Sequence, residues 1–251
     1  MTAFSGKNVV VIGATGVVGS GVVRSYLDAG ARVIGVSRSA ANLARLRETV
    51  KIGEDEPFVG VVGEFTSEGS ATTAKAAVEA ALGGAAIDHV VSVQGFVNFA
   101  APPTAAPIDA LKAALDDGLF NNLLAAKAFL PGLKGREGSS FTLVSGGLSH
   151  IPPPVPALWL GTVKNAAINA LQLALTAETG ADAVRVNTIC IHFGVAPVGG
   201  DKNQFGMQAE SDTLRLGPAF LGVAAGRRKG ELICLGSWAD ADRLAGARSA
   251  S

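Results

Sequence analysis

A single α/β domain, built as a doubly wound parallel sheet with helices on both faces, is the fold class this sequence predicts. Three observations predict it. Short apolar runs alternate with longer helical patterns along the chain, as βαβ units require. Most of the short runs are near-continuous Val/Ile/Leu, the mark of strands covered by helices on both faces. At 251 residues, 48% of them hydrophobic, the chain suits one domain spanning 1–251, with enough core to need no covalent staples.

The first strand is expected at Asn8–Ile12 (NVVVI) and the first helix at Val17–Ala29, closed by Gly30 where a left-handed cap belongs. Further strands are expected at Arg32–Val36, Phe58–Val62, Ile87–Val93, Ser140–Val144, Val184–Ile191 and Glu231–Leu235. Helical patterns fill the gaps at Ala41–Val50, Ser70–Leu82, Ile108–Leu130, Trp159–Thr179 and Ser211–Ala225. The proline cluster Ile151–Pro156 fits neither helix nor interior strand. It is either a stiff connector or a rigid wall over a ligand crevice, because ligands bind beyond the carboxyl ends of strands in open α/β sheets. No internal repeat or linker divides the chain.

The formal charge is zero, with 21 basic and 21 acidic residues, so no global field favours nucleic acid or an anionic membrane. No apolar run reaches the roughly 20 residues of a membrane span. The N-terminal MTAFSGKNVVVIG lacks the basic and apolar regions of a signal peptide, and a soluble cytoplasmic protein is expected. Cys190 and Cys234 lie in two strands far apart in sequence. Both are expected to be small buried hydrophobes, with no disulfide and no metal site.

Gly13-Ala-Thr15-Gly16-Val17-Val-Gly19 follows a strand and opens a helix. Glycines there allow a tight turn and let backbone N–H groups approach a pyrophosphate, whose charge the helix N-terminus favours. This is a Rossmann-type nucleotide loop. Dinucleotide sites that bind a free ribose 2′-hydroxyl place Asp or Glu at the end of the second strand. Here that strand ends in Ser37-Arg38-Ser39, and an arginine pairs with a 2′-phosphate instead. NADP(H) is therefore the expected cofactor.

From Trp159 to Glu178 the chain reads WLGTVKNAAINALQLALTAE. With the glycine loop, this stretch resembles the short-chain dehydrogenase/reductase family, and the resemblance runs to the last strand. The resemblance implies an oxidoreductase, usually a homodimer or homotetramer. It places Glu64 near the adenine, Gln94 and Gly95 along the cofactor wall, and Gly194 and Val195 at the carboxamide. It also implies an Asn-Ser-Tyr-Lys catalytic set, and there this chain departs. The corresponding positions are Gly118, Gly146, Gly161 and Asn165, and the chain's one tyrosine is Tyr26, in the first helix. Lys164 is one residue out of register, which turns a helical side chain by about 100°; it is expected to be a solvated surface lysine.

Substitute proton donors are sought at the strand ends. His192 and His150 fall there, beside Ser145, and histidine is the commonest general acid–base near neutral pH. All three are candidate catalytic residues, whereas His89 lies at the opposite edge. Phe96, Phe99 and Trp159 either flank an apolar substrate or pack at the rim. A substrate loop is expected near 196–212, with Phe205 and Met207 able to close over a bound molecule. Three functions fit: an NADP(H)-dependent reductase of a carbonyl, imine or iminium group, a non-redox cyclase or isomerase, and an NADP(H)-binding regulator without catalysis.

Overall fold

The computed structural model describes residues 4–96 and 98–246. One seven-stranded parallel sheet runs through it in the order β3-β2-β1-β4-β5-β6-β7. The strands are β1 (Asn8–Ile12), β2 (Arg32–Ser37), β3 (Phe58–Val62), β4 (His89–Ser92), β5 (Ser140–Gly146), β6 (Arg185–Ile191) and β7 (Leu232–Leu235). The helices are α1 (Val17–Asp28), α2 (Ala40–Thr49), α3 (Glu68–Leu82), α4 (Ile108–Leu115), α5 (Asn121–Leu133), α6 (Trp159–Thr179), α7 (Thr213–Ala225) and α8 (Trp238–Gly246). All seven expected strands form, within three residues at either end.

Side-chain alternation along β1 explains the two-faced core. Val9 and Val11 join Tyr26, Phe220 and Trp238 on one face, while Val10 and Ile12 join Phe129, Phe141 and Ile168 on the other. Helices α1, α7 and α8 cover the first face, and α3, α5 and α6 the second. Buried Arg185 donates to the carbonyls of Val223, Ala224 and Gly226 at the end of α7 and to that of Gly138. A cation at a helix C-terminus satisfies carbonyls left without intrahelical partners.

Two helices differ from the sequence reading. The expected helix Ile108–Leu130 is three pieces, because a π-helical turn at Asp116–Phe120 separates α4 from α5. There the buried Asn122 side chain donates to the Gly118 carbonyl at 2.5 Å and accepts from Ser92 Oγ at 2.7 Å. Helix α8 was not anticipated. Its signal was present as Ser237-Trp-Ala-Asp240, in which the Asp240 carboxylate accepts from the Ser237 backbone N–H and Ser237 Oγ accepts from that of Asp240, a capping box.

At the opposite end of the sheet from the strand carboxyl termini, His89 is buried against Phe4 and Tyr26, with Nδ1 2.9 Å from Ser140 Oγ. Burial lowers its pKa from 6.5 to about 4. The unfolded chain thus binds one more proton here between those values, and stability falls as pH drops through that window. The loss is expected to reach about 3 kcal/mol. Thermal unfolding of the wild type and His89→Gln from pH 6.5 to 4 checks this; an equally steep decline in the variant would show that His89 is not the cause.

Candidate functional site

Beyond the carboxyl ends of β1 and β4, where the strand order reverses, two cavities of about 240 and 330 Å³ adjoin. They share walls at Gly16, Val93, Gln94, Gly95 and Phe96. Such a switch point is where open α/β sheets bind ligands.

The smaller cavity is built on the glycine loop. Gly13 has φ +78°, and a Cβ there would lie 2.0 Å from the Val93 carbonyl oxygen. A Cβ on Gly19 would lie 2.1 Å from the Gly13 carbonyl oxygen. Glycine therefore keeps the loop tight against β4 and α1. The loop is tied to β2 by Gly13 and Ala14 N–H groups donating to the Val36 carbonyl, and by Thr15 Oγ1 at 2.9 Å from Ser37 Oγ. Helix α1 opens at Gly16 with no side-chain cap and no acidic residue in its first turn. Its N-terminal amides are thereby left to a ligand anion. Arg38 and Glu64, both exposed, complete the outer wall with Ser37. On the other side Gln94 donates to Ser92 Oγ at 3.1 Å and to the Asn121 carbonyl at 3.0 Å.

The larger cavity is mostly apolar, walled by residues such as Val18, Val144, Leu148, Ile168 and Val195. Val195 lines it, and next to it a Cβ on Gly194 would lie 2.2 Å from Asn203 Nδ2. Among the described residues lining the larger cavity, Lys164 alone is ionisable. The expectation of a solvated lysine is overturned, since Lys164 is 4% exposed. Its Nζ donates to the Phe96 carbonyl and to Asn98 Oδ1 and lies 3.6 Å from Asp117 Oδ2. Burial pushes the ammonium below the ordinary lysine range, against the pull of Asp117.

Space for Lys164 comes from a glycine. A Cβ on Gly118 would fall 2.3 Å from the Lys164 stem. The same holds nearby: a Cβ on Gly146 would meet Asn165 Nδ2 at 2.9 Å, and one on Gly161 would meet Leu148 at 2.9 Å. Lys164, Asn165 and Leu148 thus occupy the volume these glycines leave. No tyrosine lies near. The chain's one tyrosine, Tyr26, is buried with Phe4 and His89.

Ser145 joins the cavity wall; its Oγ is buried beside the Cys190 thiol and meets no other protein partner. His150 and His192 line neither cavity. Alternation at the end of β6 sends Ile191 and Phe193 to the cavity, and His192 packs over Gly147 instead. The two rings stack at 5.7 Å, next to Cys190 and Cys234. Burial and the neighbouring His150 lower the pKa of His192. Of the two cysteines expected to be buried, Cys190 is, and Cys234 is exposed.

Of the aromatic candidates, Phe96 enters both cavity walls. Trp159 instead donates from Nε1 to the Ala101 carbonyl at 2.9 Å. Phe205 packs edge-on against Phe99 at 6.0 Å, and its neighbour Gln204 reaches the cavity. Within the segment 196–212, Phe205 thus packs on the Phe99 ring. The proline cluster 151–156 lines neither cavity and serves as connector. Sequence reasoning missed Lys164 and Asp117; an acidic residue before a buried lysine's glycine leaves no one-dimensional signal.

Residues 13–205 match the family model described as enoyl-(acyl carrier protein) reductase, one of the short-chain dehydrogenase/reductase models. The chain belongs to the short-chain dehydrogenase/reductase family. Members of this family are oxidoreductases. L-fucose dehydrogenase of Rattus norvegicus is 27% identical over 186 residues, covering 74% of this chain and 65% of that protein. The match therefore spans less than two thirds of that relative's length. Among solved structures, a dehydrogenase/reductase from Sinorhizobium meliloti 1021 superposes with a TM-score of 0.80 at 15% identity, covering 94% of this chain and 96% of that one. A short-chain oxidoreductase from Pseudomonas aeruginosa PAO1, described as containing an atypical catalytic center, gives 0.78 at 19% identity, covering 92% and 96%. At these identities the structural likeness establishes the fold.

Proposed function

We propose that this family member is an NADP(H)-dependent oxidoreductase reducing the carbonyl, imine or iminium group of a small apolar molecule, without a Tyr-x-x-x-Lys pair. The observation that carries the reading is Lys164, a buried ammonium in an apolar cavity adjoining the nucleotide crevice. A bound nicotinamide supplies the hydride. Lys164 holds the proton, and its position beside the cavity suits donation to a substrate oxygen or nitrogen. Asp117 and the Phe96 carbonyl hold the ammonium in place. The predominance of Val, Ile, Leu and Gly in the lining favours an apolar molecule over a sugar such as the one named for the rat relative.

NADP(H) preference rests on the end of β2, where the strand runs into Ser37 and Arg38 on the wall of the nucleotide cavity and carries no Asp or Glu of its own. Charge-assisted hydrogen bonds are worth about 1.5–3 kcal/mol. Arg38→Ala is accordingly expected to weaken NADPH binding by about 10- to 150-fold and leave NADH binding within about threefold. Titration of both cofactors by fluorescence checks this, and an equal loss for both would remove Arg38 from the 2′-phosphate.

The whole reading is tested by following NADPH absorbance with a panel of apolar ketones, aldehydes and cyclic imines. Tight NADPH binding with no oxidation across the panel would instead favour a cofactor-binding regulator. We also propose self-association through the exposed stripe of α6, Val163, Ala166, Ala170 and Leu173. Light scattering of Leu173→Lys against the wild type tests it, and an unchanged mass would exclude that face.

A further inference from the structure

We propose that His150, Cys190, His192 and Cys234 form a zinc site at the edge of the sheet, separate from the nucleotide crevice. One potential ligand atom from each lies within 4.8 Å of all the others. The sheet itself assembles them. Cys190 and His192 are two apart at the end of β6, so they point to one face. Cys234 is the register partner of Cys190 on β7. His150 caps the short 3₁₀ turn Gly147–Ser149 that follows β5. Three consecutive strands thus deliver four ligands to one point.

The separations suit a tetrahedron. With Zn–S near 2.3 Å and Zn–N near 2.0–2.1 Å, tetrahedral geometry sets ligand–ligand distances of about 3.3–3.8 Å. Cys190 Sγ and His192 Nε2 are 3.3 Å apart, and Cys234 Sγ and His150 Nε2 are 4.0 Å apart. The other pairs lie within 4.8 Å, so binding would draw the widest of them in by up to about an ångström, a shift that the exposed side chain of His150 can supply. Two thiolates and two imidazoles are the donor set that selects zinc among common divalent ions. Two thiolates also cancel the charge of the ion, so the buried Cys190 end carries no net charge. Ser149 Oγ, 3.8 Å from Cys190 Sγ, accepts from Asn169 Nδ2 and joins the cluster to α6.

Four protein ligands leave no open position, which makes the site structural. It would clamp the connector 147–158, which leads into the helix bearing Lys164, onto the edge strand β7. Neither His150 nor His192 lines the substrate cavity, so zinc here acts by bracing that wall.

The test uses untagged full-length chain purified without chelator. Mass spectrometry of the metal content is expected to give about one zinc per chain. Cobalt exchange is expected to give thiolate charge-transfer bands and the intense visible bands of a tetrahedral ion. A chelator is expected to lower the melting temperature by roughly 5 °C or more. His150→Ala, at an exposed position that does not support the core, is expected to weaken zinc binding by more than about 100-fold, beyond the effect of losing even a ligand's hydrogen-bond partner. It keeps the test decisive if Cys190→Ser fails to fold. Three results would overturn the site: no zinc after equilibration with the ion, zinc retained undiminished in His150→Ala, or a chain 2 Da lighter under non-reducing conditions, which would mean a Cys190–Cys234 disulfide.

Discussion

Replacing Lys164 by methionine is expected to lower turnover by about 10²–10⁴-fold, the usual contribution of a positioned acid, while leaving NADPH affinity within about threefold. Methionine keeps the unbranched stem that fills the space over Gly118, so the fold is expected to survive. The pH dependence supplies the mechanistic readout. Burial lowers the pKa of Lys164. As the donor acts in its protonated form, activity is expected to fall as pH rises through that lowered value, below the range of an ordinary lysine. Asp117→Asn removes the group that opposes the shift and is expected to move this alkaline limb to still lower pH. A methionine variant with wild-type turnover, or an alkaline limb unmoved by Asp117→Asn, would sink the proposed role.

Gly13→Ala is expected to destabilise the protein by about 2–5 kcal/mol and to abolish measurable nucleotide binding. Two costs combine. A left-handed backbone costs a non-glycine residue roughly 1–2 kcal/mol, and forcing a methyl into filled space typically costs about 1–3 kcal/mol. At Gly13 that methyl would sit 2.0 Å from the Val93 carbonyl, which cannot yield without moving β4's exit from the sheet. Gly206→Ala is the matched control, because φ there is +74° and nothing lies within 4 Å of the added carbon. It is expected to show the backbone cost alone. Denaturant titration of both variants separates the two contributions. Equal destabilisation would mean that the Val93 contact carries no energy, and nucleotide binding retained by Gly13→Ala would displace the pyrophosphate from this loop.

The fold was legible because its causes are local or periodic. Continuous Val/Ile runs place buried strands, and the turn formed by Gly13, Gly16 and Gly19 fixes a crevice at the end of β1. The π-helical turn at Asp116–Phe120 was not legible, since it depends on Asn122 reaching Ser92 across the sheet as well as Gly118.

The sequence by itself determined a doubly wound parallel sheet, a glycine loop after the first strand with Arg38 at the end of the second, and the absence of a second tyrosine anywhere in the chain. Only the tertiary structure decided where Lys164 goes. Its register on α6 suggests solvent, but the missing side chain of Gly118, 46 residues earlier in the chain, opens room for it inside the cavity. The same is true of the histidines and cysteines, which strand pairing gathers from β5, β6 and β7 into one cluster. In each case the deciding quantity is the distance between side chains on different elements, and a linear pattern does not encode the space that one residue leaves for another.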